Sequence, residues 1–318
     1  MEYLAIIIPI TSLFIYAVLF MIECGAAIFV CWPQLLGRDG NDGEGVVKSF
    51  MSPVWETTNV FLVFTLVSLI AFFPAAVPVW GRALVVPFLV FLIVMGVRVV
   101  GMLYVFYREG ESRAMKGLLF VASLLAPAVL FGGIVPYFLT GALPAGRLDW
   151  IFAVVVGLLA MALTITLSSL FFNYIRANRA VPWNPRIRTL MLWFYGAFLF
   201  LFVVMESFLQ FASPHGFSEG MYNLFVITAA IIFGVLVVFL RSSGRTVAMM
   251  NFWLNVLLMG IIFLGTAVAQ LPYVIYPSLT IFNSVTDPRT AGILFGVFIV
   301  GAVITVPALA WLYSLFAL

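Results

Sequence analysis

Nine long apolar segments dominate this sequence and restrict it to folds that lie within a membrane. Each holds about 20 residues or more, the length at which an α-helix crosses a hydrocarbon core of about 30 Å. Short, polar, turn-rich sequences such as GRDGNDGEG and RANRAVPWNPR separate them. The predicted transmembrane segments are 4–30, 53–73, 83–107, 117–140, 148–175, 187–211, 221–240, 247–270 and 291–316.

The composition supports the same class of protein. Hydrophobic residues make up 65% of the 318 residues and charged residues only 8%, which is too little polar surface for a soluble domain. No linker or low-complexity segment divides the chain. The sequence therefore predicts an all-α polytopic membrane protein of nine transmembrane helices, with residues 1–318 in a single domain.

The basic residues of the loops predict the orientation in the membrane. Loops after odd-numbered segments contain eleven of the fifteen lysines and arginines, whereas loops after even-numbered segments contain three. Because cytoplasmic loops carry the excess of Lys and Arg, we expect the N-terminus outside and the C-terminus in the cytoplasm. These residues are scattered through short loops rather than clustered, so we expect no nucleic-acid partner.

Histidine and cysteine usage limits the redox chemistry that this chain can carry itself. His215 is the single histidine, which excludes a bis-histidine haem or a histidine metal cluster within the chain. Cys24 and Cys31 lie seven residues apart on the first segment, and we expect both to be small, buried apolar side chains. We therefore expect no cofactor or metal bound by this chain alone, and redox cofactors in a partner.

Three charges lie inside or at the mouth of apolar segments: Glu23, Glu56 and Arg98. The predicted orientation places all three near the cytoplasmic ends of the first three segments. Because antiparallel neighbours with short loops usually pack together, we expect a cluster of two carboxylates and one guanidinium. An ionisable residue inside a transmembrane segment is a functional hypothesis by default.

Two interpretations of this cluster stay open and are compatible. In the first, Arg98 neutralises one acid in a structural ion pair that locks three helices. In the second, one carboxylate exchanges protons, because a single arginine cannot fully neutralise two acids. Thr57, Thr58 and Asn59 add hydrogen-bonding groups that can hold waters beside Glu56.

Two further features belong to the outer side of the predicted bundle. Glu206, near the outer end of the sixth segment, is interpreted as an interfacial acid rather than a member of a proton relay. The loop after Gln270 is unusually apolar and too short to cross the membrane. We expect it to be buried by a partner subunit or by a re-entrant fold, with simple contact at the membrane interface as the alternative.

Four short motifs, in this order along the chain, carry a family resemblance. They are residues 23–25 (ECG), 53–60 (PVWETTNV), 98–104 (RVVGMLY) and 272–283 (PYVIYPSLTIFN). The chain thereby resembles subunit II of cytochrome bd quinol oxidases. That family has an acid-Gly pair, Pro-x-Trp-Asp-x-x-x-Val, Arg-Pro-Val-Gly-x-x-Tyr and Pro-Tyr-x-x-Pro-x-Ser-Leu-Thr-x-x-Asp at the corresponding places.

The chain also departs from the family pattern, which indicates a divergent member. Glu56 stands where the family has Asp, and Thr57-Thr58 stand where it has Gly-Asn. Ala26 lies near the place of a second acid in the first helix, and Asn283 replaces a loop Asp.

The resemblance implies a fold of two four-helix bundles plus one peripheral helix, and a haem-bearing subunit I as partner. In this family, subunit I carries haems b558, b595 and d, oxidises quinol, and reduces oxygen to water with protons from the cytoplasm. The acids that match Glu23 and Glu56 are associated there with the cytoplasmic proton path. This favours the relay interpretation for the residues Glu23, Glu56, Asn59, Thr57 and Thr58, with Arg98 as charge partner.

The same resemblance marks five residues as parts of structural motifs: Trp55, Gly101, Tyr104, Pro272 and Tyr273. The expected function is that of a non-haem subunit of a bd-type terminal quinol oxidase in a bacterial or archaeal cytoplasmic membrane. The chain alone is expected not to be catalytic. Membrane lipid and small single-helix subunits are further expected partners.

Two other functions remain as alternatives. The first is a bd-like membrane subunit of a different quinol-linked redox complex, for example one with c-type cytochromes. The second is a secondary transporter, which fits the helix count, although the sequence has no evident inverted repeat or pair of glycine-rich broken helices.

Overall fold

A computed structural model describes residues 2–35, 41–107, 112–141, 143–178, 185–212, 227–228, 231–232 and 245–315. Within these residues the chain forms long helices and one small hairpin. The helices are α1 (Glu2–Leu35), α2 (Asn41–Phe72), α3 (Val77–Tyr107), α4 (Arg113–Thr140), α5 (Arg147–Asn178), α6 (Pro185–Ala212), α7 (Arg245–Gln270), α8 (Ile281–Ser284) and α9 (Pro288–Leu315). The hairpin strands are β1 (Tyr273–Ile275) and β2 (Leu279–Thr280).

Seven of the nine predicted segments are helices that are long and apolar enough to cross a membrane. The sixth predicted segment is helical as α6, whose described apolar part is the shorter stretch Leu192–Phe208. The seventh predicted segment, 221–240, lies almost entirely outside the described residues. The chain is therefore a multi-pass membrane protein of helices, as its composition predicts.

Two predicted breaks between helices are shorter in the structure. The sequence predicts a loop over 74–82, but only a 3-10 turn at Pro74–Ala76 separates α2 from α3. Pro78 does not stop the helix because it lies in the first turn of α3, where a missing N–H breaks no helical hydrogen bond. Likewise α2 begins at Asn41, inside the predicted polar loop, and Pro53 is accommodated within it.

Helix α1 lies at the centre of the fold. It packs against α2, α4 and α5, while α3 packs on α4. Helix α5 contacts α6 and α7 as well as α1 and α4, so it links the helices before it to those after it. For description, α1–α4 are called the first group and α5–α7 the second. A core of buried aromatic and aliphatic side chains, among them Tyr195 and Phe252, joins the second group to α1.

Helix α9 lies at the periphery against α1 and α2, with most of its apolar side chains exposed. It begins after an N-cap formed by Asp287, whose carboxylate accepts from the backbone N–H groups of Arg289 and Thr290. Hydrogen bonds from the Thr290 side chain and backbone hold the pKa of the Asp287 carboxyl below its usual range. Pro288 then supplies the first helical residue without losing a hydrogen bond.

The apolar loop after Gln270 is covered by the chain itself. Its two strands are antiparallel, and the Ile281 N–H donates to the Pro272 carbonyl at 2.8 Å. The Thr286 N–H donates to the Phe72 carbonyl, and the Gln270 amide donates to the Phe138 carbonyl. Val274, Ile275 and Ile281 join buried side chains at the ends of α2 and α4 in one core, whereas Pro277 and Phe282 stay exposed.

We expect Gly141→Ala to displace this hairpin. Gly141 ends α4 with φ 72°, and a Cβ there would overlap the Tyr276 carbonyl group. A non-glycine residue in the left-handed region costs about 1–3 kcal/mol before the overlap is added. The midpoint of thermal unfolding should fall, and proteolysis between residues 270 and 290 should become faster.

The matched control for this variant is Gly96→Ala. Among the described residues, no heavy atom lies within 4 Å of a Cβ placed on Gly96, in the middle of α3. Alanine favours a helix there, so its thermal midpoint should equal or exceed that of the unchanged protein. A Gly141→Ala protein that unfolds and is cleaved like the control would contradict the assignment of Gly141 as an obligatory glycine.

Candidate functional site

A buried ion pair joins α1 to α3. The Arg98 Nη1 atom lies 2.6 Å from the Glu23 Oε1 atom, and the two side chains are 0% and 2% exposed. Each charge would be costly alone in this apolar interior, and the contact compensates each with the other. The structure thus brings together two of the three charges that the sequence singles out.

Small residues beside each charged residue allow the helices to approach closely. A Cβ on Gly25 would overlap the Ser168 side chain on α5, and a Cβ on Gly101 would lie 3.2 Å from Leu119 on α4. The Ser168 hydroxyl lies within hydrogen-bonding distance of the Met21 carbonyl, at 3.1 Å. The turn that carries Glu23 is therefore held between α5 on one side and α3 on the other.

We expect Gly25→Ala to loosen the site, because neither the Ser168 side chain nor the nearby Thr164 carbonyl can move aside easily. Overpacking of this kind costs about 1–3 kcal/mol. The thermal midpoint should drop, whereas Gly81→Ala, where a Cβ meets nothing within 4 Å, should leave it unchanged. Equal thermal midpoints for the two variants would show that the contact between α1 and α5 accepts a larger side chain at Gly25 than the geometry indicates.

Glu56 lies outside the ion pair, on the exposed surface of α2. The predicted cluster of two carboxylates and one guanidinium is thus a pair, with the second acid on another face. The helical rotation of about 100° per residue explains the difference, because Glu56 and Asn59 share the outer face while Thr57 and Thr58 point inward.

The inward-facing threonines bond to their own helix. The Thr57 hydroxyl donates to the Pro53 carbonyl at 2.7 Å, and the Thr58 hydroxyl donates to the Val54 carbonyl at 2.8 Å. Tyr313, near the end of α9, lies close to Thr57. No sequence pattern predicts this proximity, because more than 250 residues separate the two positions.

One face of α2 forms a continuous exposed stripe, called here the α2 stripe. It consists of Glu56, Asn59, Val63, Val67 and Ile70, spaced three or four residues apart. Its first two members are polar, and the remainder is apolar. Hydrocarbon cannot hydrogen-bond a carboxylate or an amide, so the polar end requires water, headgroups or protein beside it.

The residues of the predicted structural motifs are packed against other side chains or half-buried in the described structure. Trp55 packs on the buried cluster around Val54, and Tyr104 is half-buried on α3. Pro272 and Tyr273 are half-buried in and beside the first strand of the hairpin. Cys24 and Cys31 have no exposed surface, which confirms the prediction that both are buried.

The interpretation of Glu206 as an interfacial acid is wrong. Its side chain is 0% exposed on α6, and neither carboxylate oxygen has a hydrogen-bond partner in the part of the chain that the structure describes. An apolar cluster from α4, α5 and α6 includes Met205 and Phe208, which flank Glu206 on its helix. The linear sequence places Glu206 near a helix end and cannot reveal that other helices extend past it.

A polar network also crosses the second group of helices. The Tyr195 hydroxyl donates to the Asn255 Oδ1 atom at 2.8 Å, and the Asn255 amide donates to the Asn251 side chain at 2.8 Å. Sequence reasoning missed these three residues, because single amides and hydroxyls in apolar helices give no distinct pattern. Within the described ranges, no group of three or more His, Cys, Asp and Glu side chains could hold a metal ion. His215 lies outside those ranges.

Comparison with known proteins assigns this architecture to a family. A family model described as cytochrome bd terminal oxidase subunit II matches residues 1–316. A similar protein is the putative cytochrome bd menaquinol oxidase subunit II of Bacillus subtilis (strain 168), 27% identical, with 95% of this chain and 92% of that protein covered. The solved bd oxidase from Geobacillus thermodenitrificans has the same fold, with a TM-score of 0.78, 24% identity and coverage of 99% and 98%.

The apolar helices define a multi-pass membrane protein, and the family match makes it a subunit of the respiratory quinol oxidase class. The chain belongs to the cytochrome bd terminal oxidase subunit II family. This family membership confirms the resemblance carried by the four sequence motifs.

Proposed function

We propose that this chain is the non-haem subunit of a bd-type quinol oxidase and supplies a cytoplasmic proton path to a haem-bearing subunit I. The observation that carries the proposal is the buried pair of Glu23 and Arg98, with Glu56 exposed on the neighbouring helix. Quinol would be the substrate of the complex, and haems b558, b595 and d would belong to the partner. The chain itself forms one domain and performs no catalytic step.

The path begins at Glu56 on the exposed face of α2. Its carboxylate can take up and release protons because water or a partner surface has access to it. Asn59 lies one turn further along the same face and can hold a water beside it. Protons then pass to Glu23 on α1, which packs directly on α2.

The inward face of α2 offers hydroxyl groups along this step. Thr57 and Thr58 each donate to a backbone carbonyl, which leaves their oxygen lone pairs free to accept from water. Tyr313 on α9 lies close to Thr57 and can add a further hydroxyl group at the predicted cytoplasmic end.

Arg98 is the charge partner in this proposal. It neutralises Glu23, which allows an acid to be held in an apolar interior, and it leaves Glu56 without a fixed cation. A structural ion pair and a proton path are therefore combined, because Glu23 belongs to both. Glu56 is the acid that exchanges protons with the cytoplasm.

The α2 stripe supplies a surface for the haem-bearing partner. A partner helix with polar side chains at the level of Glu56 and Asn59 would satisfy groups that lipid chains cannot. Exposed aliphatic residues on α3 and α9 would then contact either the same partner or lipid. We place the complex in a bacterial or archaeal cytoplasmic membrane, with the N-terminus of this chain outside.

A second candidate is a subunit of a different quinol-linked complex, for example with c-type cytochromes. The departures from the family motifs at Glu56, Thr57 and Asn283 favour it, because they affect the proposed proton path and the hairpin. No observation favours a secondary transporter.

Purification of the complex through a tag on this chain separates the two candidates. We expect a haem-bearing partner, the red-shifted absorption of haem d, and oxygen uptake that depends on quinol. A copurifying c-type cytochrome without oxygen reduction would replace the first candidate by the second. Purification without any haem protein would contradict both.

A further inference from the structure

Arg98 and Ser123 leave three buried atoms without a hydrogen-bond partner among the described residues. The Arg98 Nη1 atom donates to Glu23, whereas the Arg98 Nε and Nη2 atoms and the Ser123 Oγ atom have no hydrogen-bond partner in the part of the chain that the structure describes. Both side chains are 0% exposed. Buried polar groups that lack a protein partner usually bind an ordered water, which makes about three hydrogen bonds itself.

The register of α3 and α4 places these atoms at one level. Gly101 lies against Leu119, and further along the same antiparallel pair Gly133 lies against Pro87. Both contacts give the same register, in which Arg98 is level with residues 122 and 123. Ser123 follows Leu119 by four residues, so it shares the face of α4 that meets α3.

Helix α1 closes the third side of this space. Ala126, one turn beyond Ser123, packs in the same cluster as Cys24, the neighbour of Glu23. Arg98 and Ser123 therefore lie between α1, α3 and α4, in the interior of the first group of helices.

Ser123 differs from the other buried hydroxyl groups of the described chain. Most of them donate to a backbone carbonyl, and the group includes Ser12, Thr57, Thr58, Thr65, Ser68, Thr164, Thr166, Ser168, Ser169 and Ser284. The Ser123 hydroxyl makes no such bond. Both its proton and its lone pairs are available to a ligand.

We propose that a bound water molecule joins Arg98 to Ser123 in this interior. The water accepts hydrogen bonds from the Nε–H and Nη2–H groups of Arg98 and donates one to the Ser123 Oγ atom. A neutral ligand fits better than an anion, because Glu23 already balances the charge of Arg98. An added anion would leave one net negative charge in an apolar interior.

The water also extends the proposed proton path, and this part rests on the proposed function. The second proton of the water remains for a further hydrogen bond, so the water places a group that can carry a proton beside the guanidinium that contacts Glu23. The existence of the water site does not depend on whether protons move there.

An experimental structure of the purified complex, at a resolution that shows other buried waters, tests the site directly. We expect a single density peak within about 3 Å of Arg98 and of the Ser123 Oγ atom. A second crystal grown with bromide in place of chloride should show no anomalous peak there. A bromide peak, or no density at all, would overturn the proposal.

Hydroxyl-radical footprinting of the complex provides a second readout. Radiolysis of a buried water labels side chains beside it, so Cys24 should be oxidised although it has no exposed surface, whereas the equally buried Cys31 should not. Ser123→Val fills the space and should abolish Cys24 labelling. Ser169→Ala, which removes a buried hydroxyl bonded to its own helix, should leave it unchanged.

Ser123→Ala keeps the test valid if the valine variant does not assemble. It removes one ligand of the water without adding volume, and labelling of Cys24 should fall. Labelling equal to that of the unchanged complex would show that Ser123 is not a ligand. A proton path through Glu56 is tested separately by turnover, so either idea can fail without the other.

Discussion

Replacement of Arg98 by leucine should lower the stability of the protein by about 3–5 kcal/mol, the cost of leaving one partner of a buried ion pair alone. The Glu23 carboxylate would lose the contact at 2.6 Å that compensates its burial. Leucine cannot replace it, because it offers no donor. We expect a large fall in the thermal midpoint of the detergent-solubilised complex and a low yield of assembled protein.

Arg82→Leu is the matched control on the same helix. Arg82 is exposed near the start of α3, so its loss should change the midpoint little. Arg98→Lys keeps the charge but loses the planar guanidinium, and it should lie between the two.

The double variant Arg98→Leu with Glu23→Leu separates charge from packing. Two apolar residues leave no unpaired charge, and replacement of a buried pair in this way is often neutral or stabilising. The double variant should therefore be more stable than Arg98→Leu alone, with a coupling that a double-mutant cycle measures. If Arg98→Leu alone unfolds like the control, the pair is not a stabilising element of the fold.

The helices of this protein could be predicted from sequence because hydropathy and length alone determine them. Seven predicted segments are found as apolar helices with shifts of a few residues at most ends. The break before α3 is shorter than the sequence predicts. A proline in the first turn of a helix cannot be distinguished by sequence alone from a proline that ends a helix. For the segment after Gln270, the sequence predicts an apolar loop that must be buried but does not predict the two strands.

The candidate site could be predicted in part. An acid and an arginine at matching depths on neighbouring helices predict an ion pair, and Glu23 and Arg98 form one. Depth does not define the face of a helix, so the exposed position of Glu56 did not follow from topology. The surroundings of Glu206, Ser123 and Tyr313 are formed by helices that are distant in the sequence. Patterns in a single sequence do not reveal such contacts.

Glu56→Gln should reduce quinol-dependent oxygen uptake by the complex while the complex still assembles. Glutamine has almost the same shape but carries no exchangeable acid proton, and loss of a positioned proton-transfer group costs about 10²-fold or more. Assembly should persist because Glu56 is exposed and forms no ion pair with Arg98 among the described residues. Oxygen uptake, proton uptake and the haem content of the purified complex are the measurements.

Glu56→Asp is the control that keeps the carboxylate, and it introduces the acid found in most of the family. It should retain much of the turnover, because a water beside Asn59 can bridge the gap left by a side chain that is one methylene shorter.

Three outcomes of these two variants therefore have different meanings. Slow turnover in the glutamine variant with normal haem content supports the path, because only the proton-carrying group has changed. Normal turnover in both variants removes Glu56 from the path but leaves the family assignment intact. Loss of haem in both variants would indicate that the α2 stripe mainly binds the partner subunit. A change of one exposed side chain can affect haems in the partner only through contact between the subunits.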